Sequence, residues 1–189
     1  FGPEFPIVDS SETLPGAMGC YVSEVMFWLF RPLTFMLWGG VFERFPKLQA
    51  MVVEGGTMFM VPSWLRLLDH NYTDIHFPAK LGDFRSHLSM APSEYFARNC
   101  GIGASCVPRR DLDLKEQIGL NQIMWGSDFP HPEGTWPNTA NYFAETFAGF
   151  PVDDGKAILG GNATKFYGMD EGYLRTIADE IGPEISIFN

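Results

Sequence analysis

The apolar positions fall into three short runs, each of which ends abruptly in polar or glycine-rich chain. The clearest is Ile123-Met124-Trp125, an unbroken apolar run between Asn121 and Gly126, the pattern of a strand buried on both faces. Ser127, Asp128, His131 and Glu133 follow at once among Pro130, Pro132, Gly134 and Pro137. Proline has no N–H to give a sheet, so the strand ends there and Asp128 sits where a buried strand opens into a stiff polar loop. Leu48 to Val53 reads as a second strand, closed by Glu54 and Gly55-Gly56, and Cys100 to Cys106 as a third, with Gly101 and Gly103 allowing close approach.

Helical periodicity fills the space between. Residues 21–45 place Tyr21, Val25, Trp28, Leu29 and Pro32 near one face, yet are apolar nearly all round, which predicts a helix that is buried or covered by a partner subunit. Pro32 is expected to kink or divide it, and Phe45-Pro46 to stop it. Residues 57–72 carry an apolar face of Met60, Trp64, Leu67 and Leu68, and Pro92 opens a short helix at its first position. Pro108 to Gly119 reads as one amphipathic helix, and Asn138 to Phe150 as another with Tyr142, Phe143 and Phe147 inward. A helix capped at Val152-Asp153-Asp154 is expected to be interrupted at Gly160-Gly161-Asn162 and to resume to Tyr167, with Asn162 a structural hydrogen-bonding residue. Glu171 to Ile181 forms a last helix before the tail 183–189, and residues 1–20, punctuated by Pro3, Pro6, Pro15, Gly16 and Gly19, read as loop.

Strand, polar mouth and helix thus recur three times, which predicts an α/β domain with parallel strands. The whole chain, 1–189, reads as one domain: a loop to 20, βα units over 21–170, and a C-terminal helix and tail over 171–189. Carboxylates at strand ends are hard oxygen donors and candidate general bases. The competing reading of Asp128 is an Asx-turn or helix cap, and that of Glu54 a cap on the next helix. His70 falls near a helix end, and His76 and His87 in a polar connection, where histidines mostly face solvent.

Composition narrows the partners. Thirteen basic residues against 23 acidic ones give a net charge of −10, which argues against nucleic acid and anionic membrane. It also disfavours a membrane-surface role for 21–45, whose middle carries only Arg31. Three cysteines without a Cys-x-x-Cys pair fit free thiols in a reducing cytoplasm, and no signal peptide or membrane-length apolar run is visible.

The run Trp125-Gly126-Ser127-Asp128-Phe129-Pro130-His131-Pro132 resembles the last barrel strand of the amidohydrolase-related metal-dependent hydrolases, a group that includes non-oxidative decarboxylases. Gly40 to Leu48, Val53 to Gly56 and Ile158 to Ala163 agree with the same family in the same order, so the resemblance covers residues 15 to 185. It implies a TIM-barrel-type (β/α) fold with a divalent metal, zinc by preference, to which Asp128 is a ligand. It further implies Asp128 and His131 as catalytic residues, with Glu54 and Trp136 shaping the substrate pocket. In the family's decarboxylases a histidine commonly stands where this chain has Glu54. The family's His-x-His pair on its first strand and the histidine of its fifth have no counterpart here. A full barrel takes about 250 residues, so the chain is expected to be the C-terminal part of one, with metal binding weak or absent in it alone. Three functions follow: a hydrolase or decarboxylase of a small organic compound, an enzyme using Asp128 and a histidine without a tightly held metal, or a non-catalytic assembly module. A homo-oligomer is expected.

Overall fold

The computed structural model of the chain describes residues 15–55, 58–73 and 81–189. His76, Gly56 and the stretch before Pro15 lie outside the described residues. The described residues build one sheet of three parallel strands, β1 (Ala50–Val52), β2 (Cys100–Ser105) and β3 (Ile123–Gly126), in the order β1-β2-β3. Ala50 pairs with Cys100, and Ile102 with Ile123. Side chains alternate along a strand, so Val52, Ile102, Ala104 and Ile123 share one face, where all are buried in the core with Phe96, Phe143, Phe147 and Ile158. The opposite face carries Met51, Gly101, Gly103, Ser105 and Met124, and a Cβ on Gly101 would stand 3.1 Å from Met124 and 3.2 Å from Met51.

The helices are α1 (Ala17–Trp38), α2 (Val41–Arg44), α3 (Val61–Thr73), α4 (Pro92–Asn99), α5 (Arg109–Leu112), α6 (Lys115–Ile118), α7 (Thr139–Phe147), α8 (Val152–Lys156), α9 (Asn162–Tyr167) and α10 (Glu171–Ile181). Helix α1 begins at Ala17, inside the stretch expected to be loop, and runs unbroken through Pro32. One missing N–H removes a single intrahelical bond, and contacts with α3 hold the helix there: Trp64 Nε1 donates to Thr34 Oγ1 at 3.1 Å, and Phe30 and Trp64 pack at 4.9 Å, while within α1 Thr34 Oγ1 donates to Phe30 O at 2.9 Å. The break comes instead at Gly39-Gly40, where Gly40 takes a left-handed φ of 65° and its N–H caps Leu37 O.

The inward face of α1 is Phe30, Leu33 and Leu37, while Tyr21, Val25 and Trp28 are exposed. The C-terminal half lies over β1 and α4, and that contact sets which residues turn inward. Leu67 of α3 is likewise exposed, and Val61, Pro62, Leu65 and Leu68 are buried. Pro108 to Gly119 divides into α5 and α6, because Asp113 and Leu114 form a turn between them. Gly160-Gly161 does not interrupt its helix: Ala157–Gly161 is a π-helical turn that joins α8 to α9. The tail also differs from expectation, since Ile185–Phe188 forms a 3-10 turn and buries Phe188.

Two asparagines fix where strands begin. Asn99 Nδ2 donates to Pro46 O and Leu48 O ahead of β1, and the buried Asn162 Nδ2 donates to Leu120 O and Ile123 O, both at 2.8 Å, at the start of β3. A buried carbonyl without a donor is costly, so these amides lock strand position against the helices. His87 is also structural, with Nε2 2.8 Å from Trp38 O at the end of α1.

Candidate active site

Parallel strands deliver their C-terminal ends to one rim, and the backbone there is unusual. Among the described residues the non-glycine positions with positive φ are Glu54 (60°), Cys106 (51°) and Asp128 (60°). They stand two, one and two residues past the ends of β1, β2 and β3. Left-handed backbone is costly for residues with a Cβ, and such strain concentrates at functional sites. The structure therefore places the predicted Glu54 and Asp128 on the same rim, and adds Cys106 between their strands.

The loop after β3 is closed by its own backbone. Thr135 N donates to Ser127 O at 3.0 Å, His131 N to Asp128 O at 2.7 Å and Gly134 N to His131 O at 2.9 Å. The peptide bonds Phe129–Pro130 and Trp136–Pro137 are cis. Cys106 joins the loop to β2: its N–H reaches Gly126 O at 3.4 Å and its Sγ reaches Glu133 O at 3.5 Å. Partial burial raises the Cys106 thiol pKa, and the negative charges of Asp128 and Glu133 raise it further. Through its contact with Glu133 O, Cys106 Sγ ties the loop to the end of β2. Its position at a strand end, like Glu54 and Asp128, was the available signal for it in the sequence.

Asp128 is largely shielded and His131 more open, and His131 Nδ1 lies 3.7 Å from Asp128 Oδ2. Nδ1 also lies 3.5 Å from the N–H of Glu133. A neutral imidazole with its proton on Nε2 accepts from Glu133, whereas a protonated one turns an N–H toward the Asp128 carboxylate. Both contacts are long, so the ring has two available partners and is locked to neither. Phe129 and Trp136 lie in the same loop, both well exposed, with ring centroids 5.7 Å apart. Glu54 is exposed at the end of β1, and Gly55 N donates to Gly103 O at 2.8 Å to pin that turn to β2. The structure brings Asp128, His131, Trp136 and Cys106 into one loop cluster and leaves Glu54 two strands away on the same rim.

Gly134 makes the closed loop possible. A Cβ there would lie 2.8 Å from Ser127 O and 3.0 Å from both Asp128 O and His131 O. All three are backbone atoms, so nothing can swing aside. Gly134→Ala is expected to cost about 1–3 kcal/mol of stability and to displace Asp128 from His131. Denaturant unfolding together with NMR of the His131 ring checks this, and an unchanged ring signal would contradict it.

Among the described residues no group of three or more His, Cys, Asp or Glu side chains is arranged to hold a metal ion. Asp128 and His131 supply two donors. A catalytic zinc takes three protein ligands plus water, so these residues do not by themselves fit a complete centre. Among the described residues no helix is long and apolar enough to cross a membrane.

Comparison with known proteins gives the same picture of the fold. The amidohydrolase family profile matches residues 26–169. The crystal structure of 5-carboxyvanillate decarboxylase LigW from Sphingomonas paucimobilis is similar at a TM-score of 0.57 and 28% identity, over 71% of this chain and 38% of that one. The crystal structure of amidohydrolase map2389c from Mycobacterium avium subsp. paratuberculosis K-10 is similar at 0.55 and 28%, over 69% and 31%. The chain therefore spans well under half the length of these solved structures, and its fold corresponds to part of a barrel.

Proposed function

The chain belongs to the amidohydrolase family, and on that premise we propose that the rim around Asp128 is part of an active site that hydrolyses a small organic substrate. The observation that carries this reading is the Asp128–His131 pair, 3.7 Å apart at the mouth of a parallel sheet, with Asp128 held in left-handed backbone. In the reading proposed, the Asp128 carboxylate takes a proton from water as the water oxygen attacks the scissile carbonyl carbon. The proton returns to the leaving nitrogen or oxygen as that bond breaks, and His131 assists the transfer. Glu54 and Trp136 bound the substrate pocket. The likeness to a decarboxylase at 28% identity favours a second reading, in which the same pair delivers a proton to the ring carbon from which carbon dioxide departs. Assay of a panel of amides, lactones and aromatic acids separates the two: release of amine or alcohol supports hydrolysis, and release of carbon dioxide supports decarboxylation. No turnover by a form that spans the whole barrel would remove both readings and favour an assembly module.

The resemblance to metal-dependent hydrolases makes Asp128 a candidate ligand, with the remaining ligands supplied from outside the described residues. Carboxylates at an open mouth compete poorly with water for a hydrated ion. The purified 189-residue chain, dialysed against a mild chelator, is expected to retain zinc well below one equivalent by elemental analysis. Near-stoichiometric zinc that is lost on Asp128→Ala would contradict this.

We further propose that the outer face of α1 is covered by a second copy. Phe27 and Phe35 are 62% and 67% exposed, and an apolar groove of about 820 Å³ between α1 and α3 is lined by Phe27, Trp28, Phe59, Trp64 and Leu67. Exposed apolar surface that is contiguous and rimmed by polar residues is the kind that interfaces cover. Sedimentation is expected to show a dimer or larger species that Phe27→Glu dissociates, and a stable monomer would count against it.

A further inference from the structure

We infer that a polar cavity at the opposite end of the sheet from Asp128 binds a small tetrahedral oxyanion, a phosphate group. The cavity measures about 270 Å³ and is lined by Gln49, Arg98, Asn121 and Lys165 together with the buried Asn99 and Asn162. Gln49 precedes β1, Asn99 precedes β2 and Asn121 precedes β3, so the cavity sits at the N-terminal ends of the strands. Glu54, Cys106 and Asp128 follow the C-terminal ends. The six residues of β2, at about 3.3 Å each, lie between the two places.

Hydrogen bonds tie the walls of the cavity to one another. Asn99 Nδ2 donates to Leu48 O at 2.7 Å, beside Gln49, and Asn99 Oδ1 accepts from Arg98 Nε at 2.8 Å. Arg98 Nη2 donates to Phe42 O at 2.8 Å, which fixes the guanidinium. Gln122 Nε2 donates to Ala97 O at 2.8 Å, and Asn162 Nδ2 to Leu120 O and Ile123 O, on either side of Asn121. Asn99 and Asn162 are 2% and 3% exposed. A site built in advance from such contacts loses little freedom when a ligand enters.

Charge selects the ligand. No acidic side chain is among the described residues that line the cavity, in a chain that carries −10 overall. Both cations end helices, Arg98 in α4 and Lys165 in α9, where the helix dipole favours positive charge. The dipole accounts for one cation at each helix end, not for two meeting over one cavity. Hydrogen bonds from Tyr95 and Ser89, with the nearby charge of Arg98, hold the Glu43 carboxyl below the usual carboxylate range, so Arg98 already answers one carboxylate. Lys165 answers none: among the described residues its ammonium makes no hydrogen bond or ion pair, and the side-chain amides of Gln49 and Asn121 are likewise open. An ammonium and two amides from three separate segments suit an ion whose oxygens face several directions, and charge-assisted bonds to it are the strong ones. The volume falls below the about 300–1,000 Å³ of sites for drug-sized ligands, which suits a free phosphate or the phosphate end of a monoester. A carboxylate is the competing occupant, with a single charge and two oxygens in one plane.

NMR titration of the 189-residue chain with inorganic phosphate, methyl phosphate and acetate, at constant pH and ionic strength, tests this. The side-chain amides of Gln49 and Asn121 report on the cavity and the His131 ring on the rim. Phosphate or methyl phosphate is expected to move the Gln49 and Asn121 signals saturably and to leave His131 still. The tighter of the two identifies the source as the free ion or a monoester, and acetate should bind at least about fivefold more weakly than either. Lys165 is exposed and holds no partner, so substitutions there keep the fold. Lys165→Met should weaken the phosphate at least about fivefold, and Lys165→Arg should stay within about twofold of the native chain. Arg175→Met, which removes one positive charge from α10, should change the affinity by less than about 1.5-fold. Shifts that never saturate, acetate binding as tightly as phosphate, or indifference to Lys165→Met would each overturn the site. Movement of His131 in place of Gln49 and Asn121 would put the ion at the rim and overturn it as well.

Discussion

Replacing Phe147 with alanine is expected to cost the fold about 3–5 kcal/mol, the range for truncating a buried aromatic residue in a core that cannot close up. Phe147 ends α7 and is fully buried, with ring centroids 6.0 Å from Phe143, 5.7 Å from Phe150 and 6.0 Å from Phe188, each nearly perpendicular. The cluster joins α7, the turn after it and the C-terminal 3-10 turn, so its loss would loosen the tail as well as the helix. Collapse into the vacated space is blocked on one side. A Cβ on Gly155 would stand 2.2 Å from the Phe188 ring, so helix and ring already meet without slack. Net stabilities run to about 5–15 kcal/mol, so this substitution removes a large share of the total. Urea unfolding followed by tryptophan fluorescence measures it. A loss below about 1 kcal/mol would mean that the aromatic cluster is not the core of this half of the molecule.

The sheet was legible in the sequence because each strand is a short apolar run with an abrupt end, and a parallel strand buried on both faces leaves that signature. Ala50–Val52 and Cys100–Ser105 fall inside the runs read from the residues, and Ile123–Gly126 extends its run by the one glycine that bounds it. What escaped was set by contacts between distant segments. Helix α1 is apolar almost all round, so periodicity alone cannot choose its inward side, and the choice of Phe30, Leu33 and Leu37 comes from the elements beneath it. Pro32 and Gly160-Gly161 are local helix breakers overridden by packing, the first by the tie between Thr34 and Trp64. The second persists as a π turn beside Asn162, whose amide is committed to β3. Phe188 lies in a tail with no periodic pattern to announce that it is buried.

The rim shows the same division. Asp128 and Glu54 were visible as carboxylates at strand ends, and His131 and Trp136 as neighbours in a proline-rich loop. Cys106 ends a strand too, but a cysteine in a strand of small residues reads as packing, so that position alone did not single it out. Its place beside Asp128 depends on the alignment of β2 with β3, in which Ser105 pairs with Gly126. Left-handed backbone at Glu54 and Cys106 has no sequence signature, because these residue types ordinarily avoid it; Asp128 is a type that tolerates it.

Asp128→Asn separates chemistry from architecture. Asparagine has the shape of aspartate and tolerates the left-handed region as well as aspartate does. The φ of 60° and the bond from His131 N to the Asp128 carbonyl oxygen should therefore survive. What is lost is the charge and the ability to accept a proton. A positioned general base contributes about two to four orders of magnitude. The direct measurement is single-turnover kinetics of the Asp128→Asn enzyme beside the native one, on whichever small organic substrate is processed, with circular dichroism of both. The account predicts a fall of about a hundredfold or more with superimposable spectra, and turnover within about threefold of the native rate in a folded Asp128→Asn enzyme would contradict it.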